Sequence, residues 1–328
     1  MPKPTRKGFP KGAARILGVL LVTGSVLVAW IRVRSERTFT APASGLSAVT
    51  DPAVIARGRY LVHGPAHCAD CHAPLAQKEM VDGGREADLS GGYALNTFLG
   101  EMRAPNITPD SLTGIGAVDD AALVRFFRHG IDRRGRVGLP IMMAPDLADA
   151  DLVAILSYLR STPPVRHAVP PSGYNILGRI TKAFFLEPFA PDPSRPPTPP
   201  PGPTAAYGGY LAEVVANCAS CHTARNMKTG EYTGPRFAGG LEFRKSDDPD
   251  QVLVSPNLTP DSATGVMAQW SLETFVARMH QGRIAPWSPM PWGPFGKMSK
   301  DDLTAVYLYL HDLDPVNREN HPPTKENR

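Results

Sequence analysis

The chain owns four cysteines in 328 residues, and they fall in two copies of one pattern, HCADCHAP at 67–74 and NCASCHTA at 217–224. Each copy reads Cys-x-x-Cys followed at once by histidine: Cys68, Cys71 and His72, then Cys218, Cys221 and His222. Three chemistries use thiols at this spacing. A redox-active disulfide gives the histidine no role, and no thioredoxin-type strand–helix pattern surrounds either pair. A structural zinc ion needs four ligands, whereas each copy supplies two cysteines and one histidine. Covalent attachment of haem c uses all three groups, the thiols adding to the vinyl groups and the histidine ligating iron. Two copies with no spare cysteine point to the third chemistry.

Such an iron calls for a second axial ligand further along each copy, and a neutral thioether favours the ferrous state. Met290 stands in RIAPWSPMPWGPFGKMSKDDL, framed by prolines that keep its loop from becoming helical. The first copy offers Met142 and Met143 in GRVGLPIMMAPDLADADL. Met142 is the favoured ligand because Leu-Pro-x-Met mirrors Trp-Ser-Pro-Met, with Met143 as the alternative.

The segments that must position these groups also repeat. GRYLVHGPAHCADCH is matched by GGYLAEVVANCASCH, and APNITPD at 104–110 by SPNLTPD at 255–261. AALVRFFRHG pairs with LETFVARMHQG, and ADLVAILSYLR at 150–160 with DDLTAVYLYLH at 301–311. Aspartates before an i, i+3, i+4, i+7 apolar pattern predict a capped amphipathic helix at the end of each copy. The whole is a tandem duplication of a module of roughly 110 residues, a usual domain size. Between the copies, PDPSRPPTPPPGP at 191–203 predicts a semi-rigid, polyproline-like connection. Before it, YNILGRITKAFFLEPF at 174–189 is apolar enough to bury a face. A linker helix packed on its own domain is the favoured reading, with the membrane surface or a partner subunit as the alternative. The 35 prolines argue against long sheets.

A formal charge of +4, with Lys3, Arg6, Lys7, Lys11 and Arg15 clustered at the start, gives no basic stripe for nucleic acid. After that basic head, residues 16–31 carry no charge, and the apolar run is long enough to cross a bilayer. An uncleaved anchor is favoured over a signal peptide cut near Ala41-Pro42-Ala43, since Arg32, Arg34 and Arg37 intervene. The basic excess on the N-terminal side keeps that end in the cytoplasm and places the rest on the periplasmic side of the cytoplasmic membrane.

With Gly-x-Tyr-Leu, Cys-x-x-Cys-His, Pro-Asn-x-Thr-Pro-Asp-x-x-Thr-Gly, Met-Pro and the closing Asp-Leu…Tyr-Leu helix in hand, the chain resembles a dihaem class I cytochrome c. It is similar to the cytochrome c subunits of bacterial membrane-bound alcohol and gluconate dehydrogenases. The resemblance implies an all-α fold of two tandem cytochrome c-like domains, with His72 and Met142 (or Met143) ligating one iron and His222 and Met290 the other. The expected layout is an anchor over 1–37, a linker over 38–50, domains over 51–165 and 205–315, a proline-rich linker over 166–204 and a polar, disordered tail over 316–328. Relatives of this type commonly carry three haem modules, against two here. The first copy lacks Met-Pro and is about four residues shorter before its final helix.

The reading is an electron carrier without a substrate site of its own, holding two covalent haems c. It would take electrons from a periplasmic or membrane-bound dehydrogenase and pass them to quinone, another cytochrome or an oxidase. The alternative is a peroxidase-like dihaem enzyme with one open iron, for which the irregular PIMMAP loop and nearby His67 would serve. Asn106 and Asn257 could bond a haem propionate or the loop backbone. His63 and His67 sit near the first motif and could compete for iron, with a surface role the favoured reading. Tyr60 and Tyr210 are expected to pack on the N-terminal helix, and Trp270, Trp287 and Trp292 in the core or at a haem edge.

Overall fold

Each copy of the repeat closes on itself by crossing its first long helix over its last. The computed structural model describes residues 11–320, apart from 140, 143, 228, 246, 249 and 286. The chain begins with α1 (Lys11–Arg34), followed by α2 (Pro52–His63), the single turn α3 (Ala69–His72) and α4 (Lys78–Asp82). A hairpin of β1 (Ala94–Thr97) and β2 (Gly100–Arg103) precedes α5 (Asp120–His129) and α6 (Asp149–Ser161). The connection carries β3 (Gly173–Tyr174) and α7 (Ile176–Phe184).

The second copy runs through α8 (Ala205–Tyr210), which continues as a π-helical turn over Leu211–Val215, and a 3-10 turn at Cys218–Ser220. Next come β4 (Glu242–Arg244), β5 (Val252–Val254), α9 (Val266–Gln269), α10 (Leu272–His280), α11 (Trp292–Phe295) and α12 (Lys300–His311).

Capping residues set the starts. Asp51 Oδ1 accepts from Ala53 N at 2.7 Å ahead of Pro52, and Asp119, Thr204, Ser271 and Ser299 cap α5, α8, α10 and α12 in the same way. The crossings depend on one glycine each. A Cβ on Gly58 of α2 would run into the carbonyl oxygen of Ala154 on α6, and one on Gly208 of α8 into that of Ala305 on α12. Glycine is what lets the two backbones meet. Around the crossings Leu61, Leu152 and Leu156 are fully buried in the first copy and Leu211, Leu303 and Leu310 in the second. Each such side chain contributes about 1.5–3 kcal/mol of burial.

The fold is mostly helical, but it is not purely α as the resemblance implied. β1 and β2 pair antiparallel from Ala94↔Arg103 to Thr97↔Gly100, β3 joins at Gly100↔Tyr174, and β4 pairs with β5. No described strand exceeds four residues, in keeping with the proline content. Tyr60 and Tyr210 depart from expectation. Each leaves its own helix and bonds the start of the other copy's last helix, Tyr60 to Asp302 and Tyr210 to Asp151. The polar C-terminal segment is ordered further than its composition suggested, since Asn257 Nδ2 donates to Val316 O and Asn320 Nδ2 to Ala238 O. The remainder of that tail, 321–328, lies outside the described residues.

Candidate haem sites

The residue before each first cysteine adopts a left-handed conformation, His67 at φ 39° and Asn217 at φ 48°. Asparagine and histidine are among the few non-glycine residues that enter this region readily. The chain then turns through α3 in the first copy and the 3-10 turn in the second, so that His72 N and His222 N donate to Cys68 O and Cys218 O, both at 2.9 Å. One helical turn thus stacks the two cysteines and the histidine of each motif on neighbouring positions.

His72 is buried, and its Nδ1 lies 2.8 Å from Pro105 O; His222 Nδ1 lies 3.1 Å from Pro256 O. A carbonyl only accepts, so Nδ1 carries the proton in both rings and the lone pair is left on Nε2. Burial pushes the His72 pKa down against the opposing pull of the Pro105 carbonyl, which keeps the ring in its neutral, metal-binding form. This pair of backbone acceptors was not foreseen from the sequence, although the repeated Pro-Asn motif carried the signal.

That motif is a self-bonded loop. Asn106 Nδ2 donates to Thr113 Oγ1 and Val165 O, while its Oδ1 accepts from Thr108 N and Oγ1. Asn257 makes the matching bonds to Thr264, Val316 and Thr259. Asp110 Oδ1 accepts from Thr113 N and Oγ1, and Asp261 does the same for Thr264. Of the two roles open to Asn106 and Asn257, the loop takes both amides. Their work is to hold the proline carbonyls under the histidines.

The thiols fit neither rival chemistry. Burial pushes the Cys68 and Cys218 thiols up to about 12, the opposite of the depressed pKa of a thiol–disulfide exchange site. Zinc would need four converging ligands, and no group of three or more His, Cys, Asp or Glu side chains able to hold a metal ion occurs among the described residues.

Met290 is half-buried against the core, in a loop fixed on both sides. Trp292 N donates to Met290 O at 2.8 Å, and the Trp292 indole donates to Ser288 Oγ at 3.1 Å while the Arg278 guanidinium covers its ring at 3.7 Å. Trp270 also packs on this core, and Trp287 is half-buried. Met142 is half-buried in the loop before α6, which Arg128 holds by donating to Pro145 O and Leu147 O. Met143 lies outside the described residues. His63 is not a surface residue. It is buried, with Nε2 2.8 Å from the Tyr158 hydroxyl. His67 is half-buried with its ring against Phe295.

The two thiol–thiol–imidazole turns, each with its histidine tautomer fixed from behind, offer groups of the kind that attach and ligate haem c. Comparison with known proteins gives the same class. The chain is 28% identical over 318 residues to the cytochrome c subunit of the quinone alcohol dehydrogenase of Gluconacetobacter polyoxogenes, covering 90% of this chain and 64% of that one. It is 28% identical over 274 residues to the gluconate 2-dehydrogenase cytochrome c subunit of Pantoea cypripedii, covering 80% and 60%. It is 30% identical over 275 residues to a nicotinate dehydrogenase subunit of Pseudomonas putida, covering 80% of this chain but 21% of the relative. No protein-family model matches. The chain therefore spans about a fifth of the last relative and roughly three-fifths of the other two. It is similar to the cytochrome c subunits of bacterial dehydrogenases, as its motifs indicated.

Proposed function

We propose that the chain is a membrane-anchored dihaem cytochrome c that carries electrons from a dehydrogenase subunit to the respiratory chain. The observation that carries this reading is the duplicated bond from histidine Nδ1 to a proline carbonyl at His72–Pro105 and His222–Pro256. It supports one haem per repeat, attached through Cys68 and Cys71 and through Cys218 and Cys221, with His72 and His222 as proximal ligands. Met290 is the second ligand in the second repeat, and Met142, with Met143 as its alternative, in the first. Haem c, when bound, supplies a one-electron Fe(II)/Fe(III) couple.

The residues do the rest. The Pro105 and Pro256 carbonyls orient the imidazoles and raise their basicity, which favours the ferric state. A thioether from Met290, or from Met142 or Met143, would favour the ferrous state of a bound haem, and burial lowers the local dielectric. Repeats at 51–165 and 205–315 form the two carrier domains. α1, whose span Arg15–Arg34 holds an 18-residue window of mean hydropathy 2.2, is the anchor and holds both repeats on the periplasmic side. Donor and acceptor are proposed by analogy with the named relatives: a dehydrogenase subunit on one side, and quinone, a cytochrome or an oxidase on the other.

The test is an optical and near-infrared spectrum with a pyridine haemochrome count on the purified full chain. Two haems c per chain, both with the methionine-to-iron charge-transfer band, are the expected result. A high-spin component equal to one haem would overturn the carrier assignment for that repeat.

A further inference from the structure

α7 is amphipathic in the sense opposite to a helix that covers a soluble core. Its lysine points inward: Lys182 is 8% exposed, with Nζ 4.7 Å from the Tyr174 ring centre and 3.8 Å from Glu36. Its large apolar residues point outward, with Ile176, Leu177, Phe184 and Phe185 at 55%, 46%, 38% and 74% exposure. Leu177 and Phe184 stand one i, i+7 step apart on a single face. Phe98, also exposed, adjoins them, since Asn175 Nδ2 donates to the Phe98 carbonyl at 2.8 Å.

The place of this face in the fold narrows what can cover it. α7 packs on the last turns of α1. The Trp30 and Phe184 rings are 5.4 Å apart, and Arg34 Nε donates to Ala183 O at 3.0 Å with its guanidinium 5.3 Å from the Phe184 ring. The face therefore begins where the apolar run of α1 ends. The surroundings are rich in arginine, with Glu36, Asp132 and Glu187 already paired to Lys182, Arg136 and Arg37. Arg32, Arg34 and Arg179 lie on the two helices, and Arg133 and Arg134 lie in a turn joined to the segment after α1 by the Phe39 N to Gly135 O bond. None of these five arginines makes an ion pair among the described residues. A tryptophan, an outward apolar helix face and arginines beyond ion-pair distance of any described carboxylate, with Glu36 acting on Arg179 from further off, match the composition of a bilayer interface.

We propose that the outer face of α7 lies in the headgroup–acyl boundary of the bilayer that α1 crosses, with the arginines meeting anionic lipid phosphates. This rests on reading α1 as a membrane span. A single span leaves the periplasmic part free to swivel about its axis. A second contact off that axis fixes the azimuth of the first repeat, because α7 is joined to it through the β2–β3 pairing and through the Phe189 N to His129 O bond.

The test uses the full haem-loaded chain in vesicles of zwitterionic and anionic phospholipid, one lipid carrying a photoactivatable carbene source in its acyl chain. Labelled peptides are then mapped by mass spectrometry. Label is expected in both 15–34 and 174–189. The double variant Leu177→Ser with Phe185→Ser is expected to lose label on α7 several-fold, while label on α1 and the haem spectrum stay unchanged. Label on α1 with none on α7 overturns the proposal and leaves the anchor reading standing. Label on neither segment removes both. An α7 that takes no lipid label but cross-links to a second polypeptide in native membranes overturns the lipid assignment in favour of a protein interface.

Discussion

The phenol of Tyr60 donates to Asp302 Oδ2 at 2.6 Å across 242 residues of chain. The phenol oxygen also accepts from Ser299 N at 3.0 Å, so Tyr60 and Ser299 together close the start of α12. The reciprocal bond runs from Tyr210 to Asp151 Oδ2 at 2.7 Å, with Ala148 N donating to the Tyr210 oxygen at 3.1 Å. Arg57 completes that side, bonding both oxygens of Asp151 and the Tyr207 hydroxyl. Each repeat thus supplies the tyrosine that caps the other repeat's final helix. Both carboxylates are buried, which makes these bonds the main polar lock between the repeats.

Tyr60→Phe removes a charge-assisted bond and leaves a buried carboxylate short of a donor, at a cost of about 1.5–3 kcal/mol. Tyr210→Phe costs less, because Arg57 still pairs with Asp151. Melting followed by far-ultraviolet circular dichroism is expected to drop by a few degrees for Tyr60→Phe and by a smaller amount for Tyr210→Phe. Equal melting of Tyr60→Phe and wild type would remove the lock.

Met290→Ala is expected to take one haem per chain from low to high spin and to lower its potential, since the thioether is what favours the ferrous state. Met142→Ala should do the same to the other haem, and Met143→Ala should leave both low-spin. The near-infrared charge-transfer band, counted per haem, reads all three. Loss of the band in Met143→Ala alone would pass the ligand role to that residue.

The Cys-x-x-Cys-His turns, the tandem repeat and the final helices were legible because each rests on local spacing: Cys-x-x-Cys-His, the paired PN-x-TPD segments, and Asp-Leu ahead of an apolar stripe. The aspartates do not cap those helices as expected: they lie in the first turns, with Ser299 capping α12 and Ala148, which has no capping side chain, starting α6. The Tyr60–Asp302 and Tyr210–Asp151 bonds were not legible, because they join segments whose proximity depends on how the two copies dock. The Pro105 and Pro256 carbonyls escaped for another reason. A backbone acceptor leaves no residue type to read, so only the side chains that shape its loop showed. The short hairpins were hidden by length, strands of two to four residues being too brief for a period-2 pattern. The inverted face of α7 was visible as apolar composition, but which way it points depends on tertiary packing.

Asn106→Ala and Asn257→Ala test the loop that holds the proline carbonyls. Each change leaves several buried donors and acceptors unpaired, an expected loss of about 2–4 kcal/mol by denaturant titration. It also frees the carbonyl under the histidine, which makes the imidazole a weaker donor and raises the potential of that one haem. A redox titration resolving two couples should show one moved upward and the other unmoved. A stability loss with neither couple shifted would confine the asparagines to folding.

The first repeat should also lose stability in mild acid through His63. Burial pushes its pKa down to about 4, outweighing the upward pull of Glu86 and adding to the repulsion from Lys297 and Arg59. Burial also pushes the Tyr158 hydroxyl up to about 12, so it stays protonated beside Nε2, while Nδ1 has no partner among the described residues. The unfolded chain binds this proton near the ordinary value of 6.5 and the folded chain only near 4. The contribution is therefore complete above about pH 6.5 and lost as pH falls to about 4, amounting to at most about 3 kcal/mol. The corresponding position in the second repeat is Glu213, bonded to the Tyr309 hydroxyl at 2.8 Å and paired with Arg236, so no buried histidine titrates there. His63→Gln, which can still bond Tyr158, is expected to flatten the dependence of the urea midpoint on pH between 4.5 and 6.5 without moving the haem spectrum. An unchanged slope would place the acid sensitivity elsewhere.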